Sequence, residues 1–134
     1  MAQESEDDKI RCDEMEQYSI LEETVKQNID YDVLLQSYPN EVQLVQGIYE
    51  LIVETVAYTG KKLVIASNEL PTEFVNKLFM KLNFMHIQYV ISSMKKNTTE
   101  IKNIKKYLLA ALYNAPATMQ GYYQAAVNHD MQDW

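Results

Sequence analysis

A chain of 134 residues is long enough for one hydrophobic core and suits a single domain, and an apolar share of 47% excludes a wholly disordered chain. Three Gly and three Pro are too few for a sandwich or barrel of many short strands, and the lone Cys12 excludes an internal disulfide and fits a reducing cytoplasm. The net charge of −7 is uneven: residues 1–32 carry −8, whereas residues 61–106 carry +6.

Met1 to about Glu14 is acid-rich and poor in apolar residues, so a disordered or frayed lead-in is expected for 1–14. A first helix is predicted over Met15 to Gln27, with Tyr18, Leu21, Val25 and then Ile29 along one stripe. Asp30 is placed to cap a short helix carrying Leu34, Leu35 and Tyr38, which Pro39 stops. Asn40 is placed to cap the best-patterned helix, where Val45, Ile48, Tyr49, Ile52, Val53 and Val56 follow the helical series and Gly60 ends the run through a left-handed backbone.

Lys61 to Ser67 is the one convincing strand, and it needs a partner, the nearest being a short return through Glu69 and Leu70. Pro71 suits the first position of a helix burying Phe74, Val75, Leu78, Phe79 and Leu82. Asn83 opens the next, with Ile87, Val90, Ile91 and Met94 inward and Gln88, Ser92 and Lys95 outward. After a polar break at Asn97, Thr98 and Thr99, a lysine-rich helix starts near Asn103 and is expected to end before Pro116, with Thr118 capping a last helix that docks through Met119, Tyr122, Tyr123 and Ala126. Residues 132–134 are expected to fray. The fold expected is mainly α, a compact bundle of five to seven helices over 15–131 with one small β-ribbon near residues 62–70.

The usual signatures of catalysis are missing from this pattern. Gly47, Gly60 and Gly121 stand far apart, so no glycine-rich phosphate loop is written, and His86, His129 and Cys12 form no metal-ligand spacing. His129 and Asp130 are sequence neighbours, which a helix points about 100 degrees apart. No catalytic residue, cofactor, metal or small-molecule substrate is expected. No run approaches the roughly 18–20 apolar residues that span a bilayer, and the acidic start lacks the apolar segment of a secretory signal, so a cytoplasmic chain without membrane contact is expected.

The cationic stretch points elsewhere. Lys95, Lys96, Lys102, Lys105 and Lys106 fall within twelve positions, and Ile101, Ile104, Leu108, Ala111, Leu112 and Ala115 follow at helical spacing, which holds the later lysines off the buried face. A charge cluster on a rigid element meets polyanions such as DNA, and the same pattern also describes a solvated helix face. Ten tyrosines stand against one Trp and three Phe; Tyr49, Tyr107 and Tyr123 lie on apolar stripes, whereas Tyr113 and Tyr122 suit exposed contacts such as base stacking. With Arg11 the only arginine, DNA contact would be phosphate contact through lysine rather than base reading. About four neutralised phosphates would give a salt slope of roughly −3.6 on duplex DNA.

The run NTTEIKNIKKYLLAALYNAPAT, with YYQAAVNHDM at Tyr122 to Met131, resembles the C-terminal domain of replication initiator protein A proteins of plasmids and integrative elements of low-GC Gram-positive bacteria. NIDYDVLLQSYP, ELIVETV and HIQYVISSMKKNTT are similar in kind, so the resemblance covers roughly Gln27 to Met131. It implies a non-catalytic accessory domain of a DNA replication initiator, and the winged-helix region that such proteins carry at their N-terminus is not visible in these residues. Two mechanisms fit: lysine-mediated, sequence-independent DNA binding, or a protein-interaction module that recruits host replication proteins or self-associates. The chain is also similar to the helical C-terminal module of DnaD-type primosome proteins, in which a tyrosine is followed at four and eight positions by isoleucine and tryptophan. Here Tyr107 matches, but Ala111 and Ala115 take the other two places.

Overall fold

The computed structural model describes residues 6–97 and 101–132, with side chains described for 14–97 and 101–120. In chain order it runs α1 (Glu6–Ile29), α2 (Tyr31–Ser37), α3 (Val42–Ala57), β1 (Lys62–Ile65), β2 (Asn68–Pro71), α4 (Thr72–Met80), α5 (Phe84–Lys96) and α6 (Ile104–Gln132). Among the described residues this is a mainly α bundle of six helices with one two-stranded antiparallel ribbon, as the periodicity predicts.

The 3.6-residue period of α3 makes it the centre. Val45, Ile48, Tyr49, Leu51, Ile52, Val53 and Val56 are all buried, so the helix is covered on most sides. It packs against α1, α2, α4 and α6, and the core continues through Val25, Ile29, Leu34, Val75, Phe79, Ile87, Ile91 and Leu112. Thr55 sits among these apolar groups because its hydroxyl donates 2.7 Å back to the Leu51 carbonyl.

The ribbon pairs Lys62 with Pro71 and Ile65 with Asn68. Ala66 and Ser67 link the strands in a two-residue turn, both with positive φ (52° and 66°). That is the backbone of a type I′ turn, which matches the twist of a hairpin but is usually built from Asn and Gly. Only Ile65 of β1 is fully buried, so the ribbon is an appendage to the helical body.

Several element ends differ from the sequence reading. α1 begins at Glu6, inside the stretch expected as lead-in; acids in a first helical turn suit the macrodipole, and a helix once nucleated adds one bond per residue. Residues 1–5 lie outside the described residues. Asp30 does not cap α2 with its side chain: it adopts a left-handed backbone (φ 51°), where a short polar residue is tolerated, and breaks α1 from α2. Glu41, not Asn40, precedes α3, and Pro71 stands one residue before the helix it was expected to start.

Gly60 lies three residues beyond the end of α3 and has no positive φ; what it provides is room, since a Cβ there would stand 2.2 Å from the Tyr58 hydroxyl. Pro116 does not stop the lysine-rich helix. α6 continues through it, losing one backbone bond, a cost of about 3 kcal/mol set against the packing of buried Leu108, Leu112 and Ala115 on the body. Phe74 and Ile104, read as buried, are 53% and 51% exposed because each apolar stripe reaches past the edge of the core. The expected docking of Tyr122, Tyr123 and Ala126, the His129–Asp130 pair and the frayed tail ending at Trp134 concern side chains outside the described residues.

Candidate nucleic-acid interface

The five lysines that sequence places in one cluster fall into three environments. Lys95, in the last turn of α5, puts Nζ 2.6 Å from Glu41 Oε1 and 5.6 Å from the centroid of the Tyr38 ring. Lys105, in the first turn of α6, is 2.9 Å from Glu54 Oε1. Both acids belong to the α3 region, separated by about 20 Å of helical rise, so α5 and α6 are each tied to a different end of that helix. Lys96, Lys102 and Lys106 are exposed and have no ion-pair partner among the described residues.

Lys102 and Lys106 are the more telling pair. α6 is started by Asn103, whose side-chain oxygen accepts from the Lys106 backbone N–H at 3.0 Å. A first turn favours acids, because the unpaired N–H groups leave the helix N-terminus partly positive, yet this one holds Lys105 and Lys106 and no acid. Cations there oppose the dipole by some 0.3–1 kcal/mol each. Lys95 and Lys96, at the α5 C-terminus, are by contrast favourably placed. The start of α6 therefore gathers a helix dipole and two ammonium groups with no ion-pair partner among the described residues, which together attract phosphate.

One heptad further along the same face of α6, about 10 Å of rise from Lys106, stands Tyr113. It is half-buried and not freely exposed, with its ring meeting Phe74 of α4 edge-on at 6.4 Å between centroids. Phe74 was hidden from sequence reasoning by its apolar stripe; only the packing of α4 beside α6 shows that it projects beyond the core. The pair forms an aromatic surface in line with Lys106 along α6.

Lys96 faces elsewhere. With Tyr38, Met85, Gln88, Tyr89, Ser92 and Met119 it lines a groove of about 460 Å³ between α2, α5 and α6. Tyr89, unmarked by the sequence pattern, lies half-buried along it and also borders the α5–α6 seam that Tyr107 lines.

Among the described residues two tyrosines and one histidine have shifted pKa values. Burial, then Glu22 and Glu23, push the Tyr49 phenol up to about 12, and burial followed by Glu50 raises Tyr31. These rings lie 4.7 Å apart, tilted by 43°, beneath Lys26, and the Tyr49 hydroxyl reaches the Glu22 carbonyl at 3.5 Å. His86, half-buried, accepts from the Asn83 N–H through Nδ1 while Asn83 caps the His86 N–H, both at 3.1 Å; burial lowers its pKa. Its role is a reciprocal cap on α5. Among the described residues no three His, Cys, Asp or Glu side chains are grouped to hold a metal ion, and no helix is long and apolar enough to cross a membrane.

Compared with known proteins, residues 4–133 match the model of DUF6017, a family of unknown function. No curated protein and no solved structure matches the chain.

Proposed function

We propose that this chain, which belongs to the DUF6017 family, is a non-catalytic accessory domain of a plasmid-type DNA replication initiator that adds sequence-independent affinity for DNA. The replication role rests on the resemblance of the lysine-rich run and its flanks to replication initiator protein A domains. The DNA contact rests on the start of α6, where Lys106 opposes the dipole of its own helix, Lys102 stands just before the cap, and Tyr113, with Phe74 of α4 against its ring, continues the Lys106 face. Lysines hold phosphates and aromatic rings accept unstacked bases, so this surface suits a single strand better than a duplex.

With Lys95 and Lys105 engaged by carboxylates, two or three phosphates are contacted, fewer than the four that sequence alone implies. Fluorescence anisotropy with labelled DNA at low salt tests the reading. Log K should fall with log salt at a slope of roughly −1.4 to −2.1 on a single strand. Absence of binding to both single-stranded and duplex DNA at low salt would exclude it.

A further inference from the structure

The apolar stripe of α1 runs off the body of the protein. Its C-terminal half is packed, with Val25 and Ile29 buried and Leu21 against the core. On the preceding turns every residue from Glu14 to Ile20 is exposed, including Met15 at 71% and Tyr18 at 45%. Tyr18 continues the Leu21–Val25–Ile29 face, so a half-helix shaped for packing has nothing on it among the described residues. Glu14 and Glu22 flank Met15 and Tyr18 there.

The groove between α2, α5 and α6 has the opposite character. Tyr38, Met85, Tyr89 and Met119 give it apolar walls, no acid among the described residues lines it, and Lys96 closes one end. From Met85 to Lys96 it follows roughly 16 Å of α5, long enough for the exposed turns of α1, whose residues 14–20 span about 9 Å. One surface is an acidic helix with two unburied apolar side chains; the other is an apolar trough ending in a cation. A helix laid in a groove by its apolar face is a recurrent way for such surfaces to meet.

We propose that the overhanging half of α1 docks, through Met15 and Tyr18, in the Tyr38–Tyr89–Met119 groove of a second copy of this chain, with Glu14 meeting Lys96. Exchanged reciprocally, the contact closes a two-fold dimer with two identical interfaces and leaves no free end for further growth. Lys102, Lys106, Tyr113 and Phe74 take no part, so the dimer stands or falls separately from the DNA contact at the start of α6.

Sedimentation velocity on the full chain decides the matter. At low salt the wild type should sediment at twice its monomer mass and shift towards monomer as salt screens the Glu14–Lys96 pair. Met15→Ser with Tyr18→Ser changes only exposed side chains and should give a folded monomer by circular dichroism. Glu14→Lys and Lys96→Glu should each weaken the dimer, and an equimolar mixture of the two should recover a heterodimer, since one of its interfaces is wild type and the other charge-swapped. Lys102→Ala with Lys106→Ala should leave the dimer intact. A wild-type chain that is monomeric at low salt overturns the proposal, even where the groove takes a DNA strand instead. So does a dimer that survives Met15→Ser/Tyr18→Ser, or a mixture that recovers nothing.

Discussion

The Lys95 ammonium is held between the Glu41 carboxylate, 2.6 Å away, and the face of Tyr38, 5.6 Å from its centroid. This one contact joins the end of α5 to the start of α3 and to the end of α2. It also withdraws from the DNA-facing set a lysine that sequence counts as free. Lys105 is likewise paired with a carboxylate, that of Glu54, at the other end of α3.

Releasing both lysines should therefore strengthen DNA binding at little structural cost. Glu41→Gln with Glu54→Gln is expected to steepen the salt slope on a single strand by roughly 0.7 for each freed lysine that reaches a phosphate. The melting temperature should move little for the exposed Lys105–Glu54 pair, which contributes about 0–1 kcal/mol, and somewhat more for Lys95–Glu41, whose carboxylate is half-buried. Anisotropy titrations and a thermal melt on the same sample measure both.

Phe74 and Phe79 lie in one helix and should respond oppositely. Phe74→Ala removes an exposed ring, so stability should fall by no more than about 1.5 kcal/mol, the range of an aromatic pair, while affinity for a single strand drops by about 1–3 kcal/mol. Phe79→Ala empties a site 1% exposed and should cost about 3–5 kcal/mol of stability. Urea denaturation and DNA titration of the two variants separate the roles.

The hairpin turn offers a stabilising change. Ala66 and Ser67 hold left-handed backbones that cost a non-glycine residue roughly 1–2 kcal/mol. Replacing them by Asn and Gly, the preferred I′ pair, should raise the urea midpoint and leave the slope unchanged.

Gly47 occupies the middle of α3, and a Cβ built on it meets nothing within 4 Å. Gly47→Ala should thus stabilise the protein by about 0.8–1 kcal/mol, seen as a higher melting temperature.

The α5 cap should make stability depend on pH. His86 accepts a hydrogen bond through Nδ1 only when neutral, and burial lowers its pKa below the ordinary 6.5. The unfolded chain therefore binds the proton first. The contribution of this cap to stability is complete above about 6.5, declines as pH drops below that value, and is gone below the folded-state pKa. Gln at position 86 keeps an acceptor in the capping box without titrating, so His86→Gln should flatten the melting temperature between about pH 7 and pH 5.

Much of the architecture is legible because burial is written as period. Val45 to Val56 and Ile87 to Ile91 follow the helical series, and the return of the ribbon is confined by the short distance from Ile65 to Pro71. What the sequence conceals is where a stripe ends relative to the body, which is why Phe74, Ile104 and Tyr18 look like core and are not. Pro116 is concealed differently, since the cost of one proline is local whereas the packing that outweighs it comes from other helices. The lysine cluster shows the same division. Its charge is visible along the chain, but Glu41 and Glu54 are brought to it only by tertiary structure.

The central position of α3 carries a kinetic consequence. Its neighbours α2 and α4 are close in sequence, whereas α6 must return across more than forty residues to reach Glu54. Closing the shorter loops first loses less chain entropy, so a nucleus of α2, α3 and α4 would order before α6 arrives. Truncations at Ile48 or Ile52 should then slow folding, and those at Leu108 or Leu112 should chiefly hasten unfolding. The lysine face would be the last surface to form, present only on chains already folded.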